Sequence, residues 1–220
     1  MRRPLLAALM LLPAVASAAM LQVVYQDQEP ASLPYLSRYI ITPDYVRIDQ
    51  GRDQDNFLIL DRKKHELFEV QHDRHEVLTI PTEKVNLSKA SKLQATLADS
   101  PAPARGKGAI ERQVMLKQLV CARVISIPQH PEVAEVLREF RQVLAAAQWR
   151  TWQATPDDVR QPCDLQLQVL KPGQEYADGM PLEMRYSNGL TRILQQVDEI
   201  ADRPELFIVP VDYKMTTLPR

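Results

Sequence analysis

From Leu21 to Pro81 apolar and polar residues alternate with a period of two, and only short polar turns cut the pattern. Successive side chains of a strand point to opposite faces, so this pattern describes strands with one buried face. Leu21, Val23 and Tyr25 alternate with Gln22 and Gln26. Arg38 to Ile41 meets a Thr42-Pro43-Asp44 turn, where the proline presets φ for the bend. Val46 and Ile48 alternate with Tyr45, Arg47 and Asp49. Phe57 to Leu60 is continuously apolar, as in a central strand, and Arg62-Lys63-Lys64 turns the chain into Leu67 to Val70. Gln71 to Arg74 makes the next turn, before Val77 to Ile80. Short strands, short turns and no intervening helix give an antiparallel meander.

The middle is less regular. Thr82 to Asp99 has no clean period and reads as a strand with a loop or as a short helix. Ser100 to Ala109, with Pro101, Pro103, Gly106 and Gly108, reads as an exposed flexible loop. Strand character resumes from Gln113 to Ile127. One helix is expected over about 131–149, with Pro131 at its first position and Glu132 at the positive end of its dipole. Val133, Val136, Leu137, Phe140, Val143, Leu144 and Ala147 form an apolar stripe; Glu135, Arg138, Glu139, Arg141 and Gln142 cover the opposite face. The helix must stop by Thr155, before Pro156.

After it, Cys163, Leu165, Leu167 and Val169 alternate with Asp164, Gln166 and Gln168, which predicts a strand with Cys163 on its core face. Leu182, Met184 and Tyr186 alternate with Glu183 and Arg185; Ser187-Asn188-Gly189 marks a hairpin, and Leu190 to Val197 is the return strand. Glu205 to Tyr213 is a last short apolar run, broken by Pro210. The fold class is α+β, mainly antiparallel β, with one principal amphipathic helix over a curved meander sheet.

The N-terminus indicates the compartment. Arg2 and Arg3 precede an apolar run from Leu5 to Val15, and Ala16-Ser17-Ala18 supplies the small residues a signal peptidase requires. The run is shorter than the roughly 20 residues that span a bilayer. Cleavage is expected after Ala18, with cleavage after Ala19 as the alternative. That divides the chain into a signal peptide, 1–18, and a single domain, 19–220, in the periplasm. No cysteine follows the cleavage site to carry a lipid anchor. The two cysteines, Cys121 and Cys163, then lie where disulfides persist. A structural disulfide tying the strand of Cys121 to the strand of Cys163 is expected, with two buried thiols as the alternative.

Charge excludes further classes. The chain has 27 Lys+Arg against 28 Asp+Glu, and losing Arg2 and Arg3 leaves 25 against 28, a net charge near −3. A nucleic-acid-binding domain would be strongly basic. His72-Asp73-Arg74-His75, near His65, Glu66 and Glu69, superficially resembles a metal cluster. Zinc needs three or four converging ligands, and Arg74 opposes a cation, so these read as solvated turn residues, with an adventitious metal site as the alternative. His130 reads as a helix-entry residue. No serine sits in a Gly-x-Ser-x-Gly turn, and the six glycines form no phosphate-cradling loop. Trp149 and Trp152 read as packing aromatics at a helix end, the alternatives being an apolar cavity or a membrane interface. No catalytic residue, cofactor or metal site is expected.

Three stretches carry a family resemblance: Ile41-Thr42-Pro43-Asp44-Tyr45-Val46-Arg47-Ile48-Asp49, Phe57-Leu58-Ile59-Leu60-Asp61 with Arg62-Lys63-Lys64, and Glu205 through Tyr213. In these the chain resembles bacterial envelope proteins related to the outer-membrane lipoprotein carrier. The resemblance implies a half-barrel whose concave face, closed by helices, holds acyl chains or another apolar ligand. It supplies no motif that marks a ligand residue. The function expected is non-enzymatic binding of a lipid or lipoprotein acyl chain. The alternative is an envelope interaction or assembly factor, acting through an envelope protein partner at a sheet edge or the 100–109 loop. No nucleic-acid partner and no transmembrane segment after cleavage are expected.

Overall fold

The structure, a computed structural model, describes residues 19–83 and 93–217. The expected signal peptide 1–18, with Ala18, lies outside the described residues, as does much of the irregular stretch after Thr82; Ala19 is exposed.

Six strands form the meander: β1 (Met20–Gln28), β2 (Tyr35–Ile41), β3 (Tyr45–Asp49), β4 (Phe57–Asp61), β5 (Glu66–Gln71) and β6 (Glu76–Pro81). A second run contains β7 (Thr96–Pro101), β8 (Ile110–Leu116) and β9 (Leu119–Ile127), before the helix α1 (Pro131–Ala154). A short helix α2 (Pro162–Leu165) continues into a π-helical turn, Gln166–Leu170. The chain then returns as β10 (Met180–Tyr186), β11 (Thr191–Ile200) and β12 (Lys214–Thr217). All twelve strands belong to one open sheet, ordered β12-β6-β5-β4-β3-β2-β1-β11-β10-β9-β8-β7. Every pairing is antiparallel except that of β12 with β6. The first strand therefore lies in the middle, between β2 and β11, and joins the two halves.

Parity divides the sheet into two faces. Leu21, Val23 and Tyr25 of β1, Tyr39 and Ile41 of β2, Val46, Leu60, Leu67 and Ile80 point to the main core, where they meet Val133, Val136, Leu137 and Val143 of α1. The other face carries Phe57, Ile59, Val70 and Val77, covered by Phe207, Val209 and Tyr213. Arg47, buried on that outer face, fastens the C-terminal segment by donating to the Leu206 carbonyl at 2.9 Å while stacking over Phe57.

Three readings of the sequence need correction. Residues 163–169 are helical, not a strand. Leu and Gln are good helix formers, Val169 is the only β-branched residue among them, and Pro162 takes the first helical position that suits a proline. The Glu205–Tyr213 run, a strand-and-turn pattern in the sequence, opens instead with a 3₁₀ turn, Pro204–Phe207, and lies across the outer face. Ser100 and Pro101 finish β7, Pro103–Arg105 is a 3₁₀ turn and Ala109 is buried, so only part of 100–109 is an exposed loop.

The helix runs to Ala154, past the expected 149, and its cap is Thr155. Its buried residues extend beyond the predicted stripe to Ala134, Ala145 and Ala146, because the turn Gln166–Leu170 packs against it in addition to the sheet. Pro131 is the first helical residue, and His130 is the N-cap in a left-handed conformation. No helix among the described residues is long and apolar enough to cross a membrane.

Candidate functional site

Alternation on the central strands places two charged side chains on the apolar inner face. Asp27 has the parity of Leu21, Val23 and Tyr25, and Arg192 that of Leu194. They face one another across the β1–β11 register. Arg192 grips the fully buried Asp27 carboxylate through Nε at 2.6 Å and Nη2 at 2.5 Å, and donates to the Tyr39 hydroxyl at 2.8 Å. Ser37 supplies Asp27 with a third donor at 2.7 Å. Burial works against the charge on Arg192, but Tyr39 and Asp27 outweigh it and hold its pKa well up. This group is fully satisfied.

A second group is not. Between the π-helical turn and β10, the segment 171–179 is pressed against its neighbours at two glycines. A Cβ on Gly173 would lie 2.8 Å from the Arg138 Cα of α1, and one on Gly179 would lie 2.0 Å from the Ile127 carbonyl of β9. Both have positive φ, where a side chain is strained, so glycine is required twice over. Arg112 and Arg138 each donate to the Tyr176 carbonyl at 3.2 Å. The segment so held presents Glu175 and Tyr176 to the interior, where both are buried.

Glu175 is 0% exposed, and no other described residue donates a hydrogen bond to either carboxylate oxygen; its own backbone N–H is the donor that steadies its charge. Its ionic neighbour is Arg141 of α1, with Nε 3.6 Å away. That is an ion pair without hydrogen-bond geometry. Burial raises the Glu175 pKa, and Arg141 only partly opposes it. The Arg141 side chain is 23% exposed and sits 5.8 Å from the centre of the Tyr186 ring. The Tyr186 and Tyr176 hydroxyls are 3.1 Å apart, and burial raises the pKa of both. Asp164 of α2 also acts on Arg141, and burial raises its pKa. Gln166 Oε1 and Gln174 Nε2 are buried without partners among the described residues. A guanidinium, an uncompensated carboxyl and two phenols thus meet on the inner side of α1. They can bind a polar group, but the cluster lacks a nucleophile–base pair.

The cysteines form a disulfide, with Cα atoms 5.1 Å apart. It joins β9 to α2, not strand to strand, in an apolar cluster with Val114, Leu116, Ala122 and Leu167. Tyr186 packs on this cluster as well as on the main core, so the disulfide borders the polar group around Arg141. His72 bonds to Tyr213 at 2.7 Å and His130 to Glu132 at 3.0 Å. The described residues contain no group of three metal-ligating side chains. Trp152, half-buried, takes Arg160 over its ring at 5.6 Å.

Two hollows lie on the outer face. One, of about 590 Å³, is walled by Arg105, Arg123, Arg185, Glu111 and Glu183 beneath the Pro101–Pro103 corner. Glu183 pairs there with both Arg105 and Arg185. The other, of about 470 Å³, is apolar and lined by Tyr45, Phe68, Phe207, Val211 and Met215, with Val211 99% exposed.

No protein-family model matches the chain, and no curated protein does. Among solved structures it is similar to PNGF-II, in a C2 and in a P21 crystal form, at 12% and 11% identity with TM-scores of 0.42 and 0.40. Each alignment covers 91% of this chain and 31% of the PNGF-II chain, so this chain spans less than a third of the structures it matches.

Of the inner cluster, Asp27 and Arg192 had a signal in the sequence: polar residues at inward parity on otherwise apolar strands. Arg141 had a weaker one, four residues after Leu137 and three before Leu144, at the margin of the apolar stripe. Placing it on the outward face was an error. Glu175 lies outside every periodic element, and nothing local marks it.

Proposed function

We propose that the chain is a non-enzymatic periplasmic protein, exported through residues 1–18, that holds an apolar ligand on the concave inner face of a half-barrel. The ligand class is a lipid or lipoprotein acyl chain, as the resemblance to lipoprotein carriers implies. The path of α1 across the sheet supports this most. Of the strands, it runs closest along β6 and β10, which stand second and ninth in the sheet order. Strands seven places apart are about 34 Å apart in a flat sheet. A helix of 24 residues is about 36 Å long, enough to bridge such a span or the chord of a bowed sheet. From β6 to β10 the inner face carries the half-buried aliphatic side chains of Ile48, Leu58, Leu78, Leu182, Leu194 and Val197, packed against the core. An apolar lining under a single covering helix suits a ligand with a long aliphatic part.

Native mass spectrometry of protein exported to the periplasm and gently purified tests the reading. The expected spectrum shows cleavage after Ala18, a disulfide and an adduct of lipid mass. A clean apo mass would sink it.

One observation favours the alternative, an envelope interaction factor. The edge strand β7 is exposed along its whole length, and the apolar outer hollow adjoins the other edge, β12. A stoichiometric protein partner in the same spectrum, without a lipid adduct, would select that reading.

A further inference from the structure

We propose that Arg141 receives the anionic head, carboxylate or phosphate, of an amphiphile whose chain lies along the inner face. The inference rests on the apolar-ligand reading above and adds a polar end to it.

The two interior arginines differ in what they leave unused. Arg192 spends its donors on Asp27 and Tyr39. Arg141 has five N–H donors like any guanidinium. Among the described residues these meet only the Tyr186 hydroxyl and, at 3.6 Å, Glu175. Most of its fork is therefore open. The fork suits a planar carboxylate or a phosphate, which it can grip through two parallel hydrogen bonds.

Charge supports the same assignment. The ion-paired carboxylate of Arg141, Glu175, stands 3.6 Å from Nε, outside hydrogen-bond distance, so no counter-ion occupies the fork. Burial opposes the Arg141 charge, the surrounding Tyr176, Tyr186 and Glu175 outweigh it, and an incoming anion would supply the hydrogen-bonded counter-charge that the pair with Glu175 lacks. The site is reachable, because Arg141 keeps part of its side chain exposed while Glu175 behind it has none. Phe140 and Leu144, its neighbours on α1, and Leu182 and Leu194 on the sheet are half-buried apolar side chains of the same core. An aliphatic chain continuing from a head held at Arg141 would displace these side chains from their packing on the core.

Displacement of the neutral apolar fluorophore N-phenyl-1-naphthylamine at pH 8 tests this, with oleate, oleyl alcohol and inorganic phosphate as competitors. Oleate is expected to displace it at concentrations about 10- to 100-fold lower than oleyl alcohol, the range of one or two charge-assisted hydrogen bonds. Arg141→Gln should erase that preference and leave oleyl alcohol binding as it was; Arg141→Lys should keep a part of it. Glu175→Gln retains the arginine and removes its carboxylate neighbour, so it should widen the preference. It also serves as the test variant if Arg141→Gln does not fold. Equal displacement by oleate and the alcohol, a preference that survives Arg141→Gln, or one that narrows in Glu175→Gln overturns the head assignment alone. Inorganic phosphate binding as tightly as oleate would make the site one for a free anion and overturn the amphiphile. If neither oleate nor the alcohol displaces the probe, the apolar-ligand reading fails and takes this inference with it.

Discussion

Reducing the Cys121–Cys163 disulfide should lower stability by about 4 kcal/mol. The link closes a loop of 42 residues, and the entropy removed from the unfolded chain by a loop of that length corresponds to about 4 kcal/mol at 25 °C. The loop contains the end of β9, all of α1 and the start of α2, so the link limits how far the principal helix can separate from the sheet when the chain unfolds. For a chain of 220 residues each kcal/mol moves the melting temperature by about 2–4 °C, which gives a fall of about 10 °C. Both cysteines are buried, so reductant added to native protein acts slowly; urea titrations in continuous phosphine reductant avoid that barrier. Freed of its cross-link, the unfolded chain expands and exposes more surface, and the slope m should rise as the midpoint falls. The Cys121→Ala/Cys163→Ala pair should show the same rise in m without any reductant. A reduced protein melting within about 2 °C of the oxidised one, with m unchanged, would refute this reasoning, since a loop of this length predicts several times that shift.

Asp27→Asn should destabilise the protein by about 3–5 kcal/mol in urea, because it leaves Arg192 buried without its counter-charge. Replacing both partners by apolar residues, as in Asp27→Leu/Arg192→Met, should recover much of that loss. Glu175→Gln should stabilise the protein at neutral pH. The folded-state pKa of Glu175 lies above its ordinary value of 4.5, so the native state holds the proton more tightly than the unfolded chain, and wild-type stability falls as pH rises above about 4.5. The gain from the variant should therefore grow with pH from that point, and a gain that is the same at pH 4 and pH 8 would contradict it. Arg62→Ala should cost about 1–2 kcal/mol, since Arg62, on the β4–β5 turn, holds Glu139 of α1 through two bonds of 2.8 Å in a partly buried pair. Amide exchange across α1 should accelerate in that variant.

Most of the sheet was legible from alternation. The residues with the parity of Leu21, Val23, Tyr25, Val46 and Leu60 are inside, and the Asn188-Gly189 hairpin joins β10 to β11. The helix boundary was set by two prolines and is where they put it, before Pro156. Failures came where two periods fit the same letters. Cys163, Leu165, Leu167 and Val169 alternate, but Gln166 is also buried, as a helical turn packed on α1 requires and a strand with one polar face does not allow. The Glu205–Tyr213 run is apolar because it covers Phe57, Ile59 and Val77 on the outer face, a packing contact that composition cannot distinguish from a strand. The disulfide was legible from the cysteine count and the expectation of export, but not what it joins.

The two interior acids show why the candidate site escaped a reading by pattern. Asp27 sits on a regular strand and accepts three hydrogen bonds, two of them from a bidentate arginine, and neutralising it should destabilise the fold. Glu175 sits in an irregular segment, has no hydrogen bond from any other described residue and faces an arginine whose fork is mostly open. Neutralising it should stabilise the fold at neutral pH. A buried pair that lowers stability has no role in holding the sheet to α1, which Arg62, the disulfide and the apolar core already do. Opposite signs for Asp27→Asn and Glu175→Gln would therefore separate the buried charge that holds this interior together from the one that does not.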